Sequence, residues 1–167
     1  MPVVPFESLP DAARVWIFGS DRPLTEAGTS ALLRGVDDHL GSWKAHGEPL
    51  TVGSQLRDGR FLIVAVDQST AGATGCSIDG LFRVLQALEA EVGANLVGGG
   101  RVFYRGAESV VQATTRDQLT GLVASKAITK DTVVFDTSIA DLGKFRSSFE
   151  KRAKESWIAD IAGLTGP

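Results

Sequence analysis

The run Phe61–Val66 (FLIVAV) constrains this chain more than any other stretch. Six apolar residues, with no polar position to turn toward solvent, read as a strand buried on both faces. Its flanks set the surroundings. Arg57-Asp58-Gly59-Arg60 carries the Asp-Gly signal of a tight hairpin, so Pro49–Gln55 is expected to pair beside it as a weaker strand. On the other side, Asp67–Asp79 (DQSTAGATGCSID) leads into an amphipathic helix with Ile78, Leu81, Phe82, Leu85, Leu88 and Val92 along one side. Ser77 is the expected cap of that helix and Gly93 its expected stop.

Upstream, residues 1–12 hold three prolines and read as an extended lead-in. Arg14–Phe18 reads as a strand bounded by Gly19-Ser20-Asp21. From Thr25, a fair N-cap, Leu32 or Leu33, Val36, Leu40 and Trp43 recur at helical spacing, with Gly47 as the expected stop. Gly35 and Gly41 each weaken this helix by about 1 kcal/mol relative to alanine, so packing must hold it.

Downstream, Arg101–Arg105 and Ser109–Ala113 are expected to form a hairpin about Gly106. Thr115–Lys126 follows as a short helix and Thr132–Phe135 as a strand. Asp141 is expected to start one long helix with the stripe Leu142, Phe145, Phe149, Ala153 and Trp157. Trp16, Trp43 and Trp157 read as core or core-edge residues.

The first hundred residues therefore run β-α-β-β-α-β. That is the order of an α+β, ferredoxin-like split β-α-β sandwich: an antiparallel sheet with two helices on one face. The core covers roughly 13–105, its last strand being about 101–105. Residues 101–167 add a C-terminal extension or small lobe of hairpin, helix, strand and helix, with Gly98–Gly100 as the seam.

Net charge of −3 gives no reason to expect a nucleic-acid partner. Residues 1–100 carry 7 Lys/Arg and 12 Asp/Glu, whereas 101–167 carry 10 and 8. Lys144, Arg146, Lys151, Arg152 and Lys154 cluster near the end, the pattern of a solvated helix face or of a contact with an anionic partner. A single cysteine excludes an intrachain disulfide and fits a reducing cytoplasm. The N-terminal stretch lacks the pattern of a secretion signal. No apolar run approaches the ~20 residues of a membrane span, so the expectation is a cytoplasmic protein without a membrane partner.

In this topology the end of the first helix and the end of the third strand fall on one edge. That edge gathers Cys76, His46 and Asp67, with Trp43 a turn behind His46. Cys76 lies at a helix start, where unpaired N–H groups and the helix dipole favour a thiolate. His46 can take the thiol proton and Asp67 can orient the imidazole, which defines a thiol nucleophile or redox-sensitive thiol. Two other readings stand beside this one. Cys76 can be a small buried hydrophobe under the loop, with Asp67 and Asp79 satisfying local N–H groups. Alternatively Gly72, Thr74, Gly75 and Ser77 can cradle a phosphate or carboxylate, although Asp79 already places a negative charge in the first turn.

Two histidines and one cysteine make a poor metal set, and no cofactor is implied. His39, between Val36 and Trp43, reads as a helix-flank residue. The absence of G-x-x-x-x-G-K-[ST] removes a P-loop nucleotide site, and no strand is followed by G-x-G-x-x-G.

The segments RVWIFGSDRPL, SWKAHGEPL and DQSTAGATGCSIDGL resemble a family of small bacterial proteins of unknown function often labelled "ABC transporter ATPase". The Walker and signature motifs that such an ATPase needs are missing here, so the resemblance implies no activity. It marks GCSID as a motif of that family. The stretch FYRGAESVVQATTRDQLTGLVASKAITKDTVVFD is similar to GYF-like adaptor modules, which read proline-rich peptides through aromatic residues. Phe103, Tyr104 and Phe135 are the aromatic residues it offers.

These features point to a small cytoplasmic binding or accessory protein with a ligand or anion site at the Asp67–Asp79 loop. The site would hold Thr74, Gly75, Ser77, Asp79 and Trp43 and take a small ligand or a protein. One alternative is a thiol-dependent enzyme using Cys76, His46 and Asp67. Another is an interaction module acting through the C-terminal lobe, and a homodimer through the sheet or last helix fits either.

Overall fold

The computed structural model describes residues 3–45, 47–69 and 73–162, with only the backbone described at Ala45, Ile161 and Ala162. The chain is α+β and divides into two compact units. The first is Met1–Val97 with Ser138–Arg146, and the second is Gly98–Thr137 with Ser147–Pro167.

The first unit is built on three antiparallel strands, β1 (Arg14–Gly19), β4 (Thr51–Arg57) and β5 (Phe61–Asp67), in the order β1-β5-β4. All six residues of the FLIVAV run are fully buried in the middle of this sheet. Each large side chain there contributes about 1.5–3 kcal/mol by leaving water. The hairpin between β4 and β5 turns at Asp58 and Gly59, both with positive φ (56° and 61°), a conformation glycine adopts without steric cost.

Helices α1 (Glu26–Gly41) and α2 (Gly75–Val92) pack on the sheet face that carries Phe18, Val52, Leu62, Val64 and Val66. Thr25 caps α1 by accepting the Gly28 N–H at 2.9 Å. Two glycines of α1 permit close packing on α2. A Cβ at Gly28 would stand 2.5 Å from the Val92 carbonyl oxygen, and one at Gly35 would overlap the Leu88 side chain. Gly93 ends α2 in the left-handed region at φ 81°.

Several boundaries differ from those read in the sequence. Helix α1 stops at Gly41 rather than running to Gly47. Trp43 instead leaves the helix, and its carbonyl accepts the Leu50 N–H at 3.1 Å. The chain then makes a two-residue pair, β2 (Lys44–Ala45) with β3 (Glu48–Pro49).

The strand expected to complete the first sheet, β6 (Arg101–Arg105), pairs in the second unit. Gly98 and Gly100, at φ 150° and 85°, turn the chain there. A five-residue ladder with the local partner β7 (Val111–Thr115) then takes up one edge of β6. Beside β1, the vacant edge is met by a returning segment: Val15 N–H donates to the Ala140 carbonyl and Leu142 N–H to that of Ala13, each at 2.9 Å.

The second unit is a four-stranded sheet, β7-β6-β8-β9, with β8 at Val133–Phe135 and β9 at Glu150–Arg152. Its core gathers Val102, Tyr104, Leu119, Ile128, Val134, Ala153 and Ile158. The expected helix Thr115–Lys126 is a 3-10 turn, Arg116–Gln118, followed by α3 (Leu119–Ala124). The long terminal helix does not form. The stretch splits into α4 (Leu142–Ser148), β9, a 3-10 turn and α5 (Ile158–Ala162). Backbone pairing wins over the helical period here: Phe149 C=O accepts the Asp136 N–H at 2.9 Å and Ala153 N–H donates to Thr132 at 2.8 Å. Lys151 adds an ion pair to Asp136 at 2.8 Å. Trp157 is therefore not core; it is 43% exposed.

Candidate functional site

Helix α2 begins at Gly75 because Thr74 is extended (φ −100°, ψ 170°) and its hydroxyl accepts the Ser77 N–H at 3.2 Å. Thr74, not Ser77, is thus the cap. Ser77 is buried, and its hydroxyl points inward, donating to the Lys44 carbonyl at 2.8 Å and lying 2.9 Å from the Thr74 hydroxyl. The Trp43 indole N–H donates to the Ser77 carbonyl at 2.8 Å in a buried position. The corner after α1 is therefore tied to the start of α2 through Trp43, Lys44, Thr74 and Ser77. Trp43 also meets Trp16 edge to face, with ring centres 6.1 Å apart.

Cys76 is exposed at the second position of α2, so the reading of it as a buried hydrophobe is overturned. Its neighbour Ser77 takes the inward position that such a residue would have filled. Gly75 and Asp79 are also exposed. A Cβ added at Gly75 would meet nothing within 4 Å among the described residues.

Asp67 ends β5 and folds onto its own turn, its Oδ1 accepting the Ser69 N–H at 2.9 Å. The Ser69 backbone N–H and hydroxyl hold the Asp67 carboxyl below the ordinary carboxylate value. His46 and Gly72 lie outside the described residues.

His39 is a residue whose tension the sequence conceals. Its Nε2 is buried and has no hydrogen-bond partner among the described residues, and its ring centre lies 5.9 Å from that of Trp43. Burial lowers its pKa below 6.5, favouring the neutral ring. A Cβ placed on Gly80 would stand 3.9 Å from His39 Cε1, so the ring sits against α2.

At the other end of α2, Asp21 accepts Asn95 N–H and Nδ2 at 2.9 and 3.0 Å. Burial alone would raise its carboxyl, but the Asn95 and Arg22 contacts outweigh this and lower it. The Gly19–Pro23 turn is thus braced by Asn95, and Arg22 lies 3.4 Å from Asp21.

Phe103, Tyr104 and Phe135, the aromatic residues of the GYF-like stretch, are all buried. The exposed aromatic ring of the second unit is Trp157, with the Arg116 guanidinium 5.2 Å from its ring centre. Among the described residues there is no group of three or more His, Cys, Asp or Glu side chains placed to hold a metal ion, and no helix is long and apolar enough to cross a membrane. Comparison with known proteins gave no matching family model and no significant match to a curated protein or a solved structure.

Proposed function

We propose that the protein is a small cytoplasmic binding or accessory protein whose ligand contacts lie at the start of α2, with Cys76 as the reactive group presented there. One observation carries this reading. The bonds from Trp43 to Ser77 and from Ser77 to Lys44 fasten two distant segments into one corner, while the Cys76 side chain beside them remains exposed. A thiol on a braced helix start is suited to reversible covalent or redox chemistry. A thiol-dependent enzyme using Cys76, His46 and Asp67 is the stronger form of the same reading, and the Ser69 contact on Asp67 argues for the milder one. The anion-site form draws on Thr74, Gly75, Ser77 and Asp79, of which Thr74 and Ser77 already bond to each other.

The test is iodoacetamide modification of Cys76 in the native protein, followed by mass spectrometry, in wild type and His46→Ala. Native-state modification faster than that of the urea-unfolded chain, and slowed about tenfold by His46→Ala, supports a thiol site. Rates equal to those of the unfolded chain in both proteins reduce Cys76 to an ordinary surface side chain.

A second reading, an interaction module in the second unit, is favoured by the exposed Trp157 stacked with Arg116. The GYF-like resemblance suggests a proline-rich peptide as its probe. Binding lost in Trp157→Ala but kept in Cys76→Ser supports this reading over the first. The first unit we read as a ferredoxin-like sandwich in reduced form: β1-β5-β4 keeps three of its strands in order, and the returning Ala140 segment stands where the fourth would pair. The resemblance of GCSID to a bacterial family agrees with placing the site at α2.

A further inference from the structure

Strand β4 is an edge strand, and its outer edge is only half covered. Alternate residues of an antiparallel strand direct their backbone groups to opposite sides. Leu50 N–H donates outward to the Trp43 carbonyl at 3.1 Å, and the Val52 carbonyl accepts the Val4 N–H at 2.8 Å. Ser54 and Leu56 follow in the same phase, so their N–H and C=O groups also point away from β5. Among the described residues, no bond reaches those groups. The chain's own Val3 meets Val52 in a single parallel bridge. At Pro5 it leaves the edge for the 3-10 turn Phe6–Ser8.

Where that segment departs, a cleft of about 480 Å³ opens between Phe6, Gln55, Leu56, Arg57, Phe145 and Arg146. It lies on the sheet face opposite α1 and α2. The Leu56 side chain packs on the helix-covered face, so an occupant of the cleft meets Leu56 at the strand edge. The Phe6 and Phe145 rings meet edge to face at 6.1 Å and 86°, and the Arg57 guanidinium lies over Phe145 at 5.2 Å. Arg146 is held against them by Asp11 Oδ1 at 2.6 Å and the Leu9 carbonyl at 2.9 Å.

We propose that the open half of β4 and this cleft form a docking groove for an extended peptide that adds a strand at Ser54–Leu56 and places an aromatic side chain in the cleft. The backbone half of the argument is continuity: the same edge already accepts a parallel backbone bridge from the chain's own lead-in at Val52. The side-chain half is chemistry. Side chains of an added strand alternate between faces, so one of them reaches the face of Gln55 and Arg57. Glu7 and Asp58 on the rim offset the two arginines, so a charged side chain gains little there. A ring, by contrast, stacks on guanidinium planes and meets phenylalanine edges.

A second copy of this chain fits less well. Symmetric pairing of two β4 strands about Gln55 sets Leu56 opposite Ser54 and brings the partner's Asp58 turn onto the stretch that Val3 and Val4 occupy.

The probe is acetyl-Thr-Val-Trp-Val-Thr-amide, titrated into the full chain labelled with nitrogen-15. Binding should shift the amide signals of Ser54 and Leu56 and slow their hydrogen exchange. Ser54→Pro, which removes an outward N–H from an edge strand, should weaken binding about tenfold. Replacing the probe tryptophan by alanine should weaken it comparably. N-methylating the probe backbone gives the same test on the unaltered protein should Ser54→Pro fail to fold. The proposal is overturned if millimolar probe moves neither amide, or if the N-methylated probe binds as well as the parent. Concentration-dependent dimers that Ser54→Pro dissolves would also overturn it, assigning the edge to a second copy.

Discussion

The Trp43 indole N–H and the Ser77 backbone carbonyl form a buried hydrogen bond of 2.8 Å across 34 residues of sequence. That bond joins Trp43, two residues past the end of α1, to the first turn of α2. It is therefore the most direct measure of whether the candidate site is a built corner.

Trp43→Phe keeps most of the apolar surface but removes the donor. The Ser77 carbonyl keeps its intrahelical partner in α2, so the loss is that of one buried hydrogen bond, about 0.5–1.5 kcal/mol. The expected result is a urea midpoint lowered accordingly with an unchanged slope, read from the fluorescence of the remaining tryptophans and from circular dichroism.

The glycines of α1 should respond with opposite signs. Gly28→Ala drives a methyl group against the Val92 carbonyl, a backbone atom that cannot swing aside, and a loss of about 1–3 kcal/mol is expected. Gly41→Ala meets nothing within 4 Å among the described residues and should gain up to about 1 kcal/mol from helix propensity. Thermal denaturation of the two variants side by side checks this.

Cys76→Ser should leave stability within about 0.5 kcal/mol of wild type, because the side chain is exposed. Leu81→Ala, in the fully buried core of the same helix, should cost about 2–5 kcal/mol. Equal losses in denaturant titrations of the two would show Cys76 to be part of the core.

His39 supplies a dependence on pH. Burial lowers its pKa in the fold below 6.5, so the unfolded chain takes up the proton first as pH falls. Stability is then flat above about pH 6.5 and declines below it, until the folded form also protonates. Asp21 and Asp67 are lowered from 3.8 and lose their contribution only in more acidic solution. Urea midpoints at about pH 7.5 and about pH 5.5 should differ in wild type, and His39→Phe should remove most of the difference.

The elements legible in the sequence are those whose signal is local. The FLIVAV strand has nothing polar to expose, the Asp58-Gly59 turn needs two positive φ angles, Thr25 is followed by a free helix start, and Gly93 stops α2 in the left-handed region. Tertiary structure decided wherever a backbone group had two possible partners. The stripe from Leu142 to Trp157 has helical spacing, yet β8 offers Phe149, Lys151 and Ala153 a sheet edge, and pairing there breaks the helix. Arg101–Arg105 fits the first sheet by order, but its hairpin partner β7 lies only a turn away and closes a shorter loop. At the site, the order of elements put the end of α1 and the end of β5, which leads into α2, on one edge. Only packing decided that Ser77 turns inward to Lys44 and Trp43 while Cys76, one residue earlier and about 100° around the helix, faces solvent.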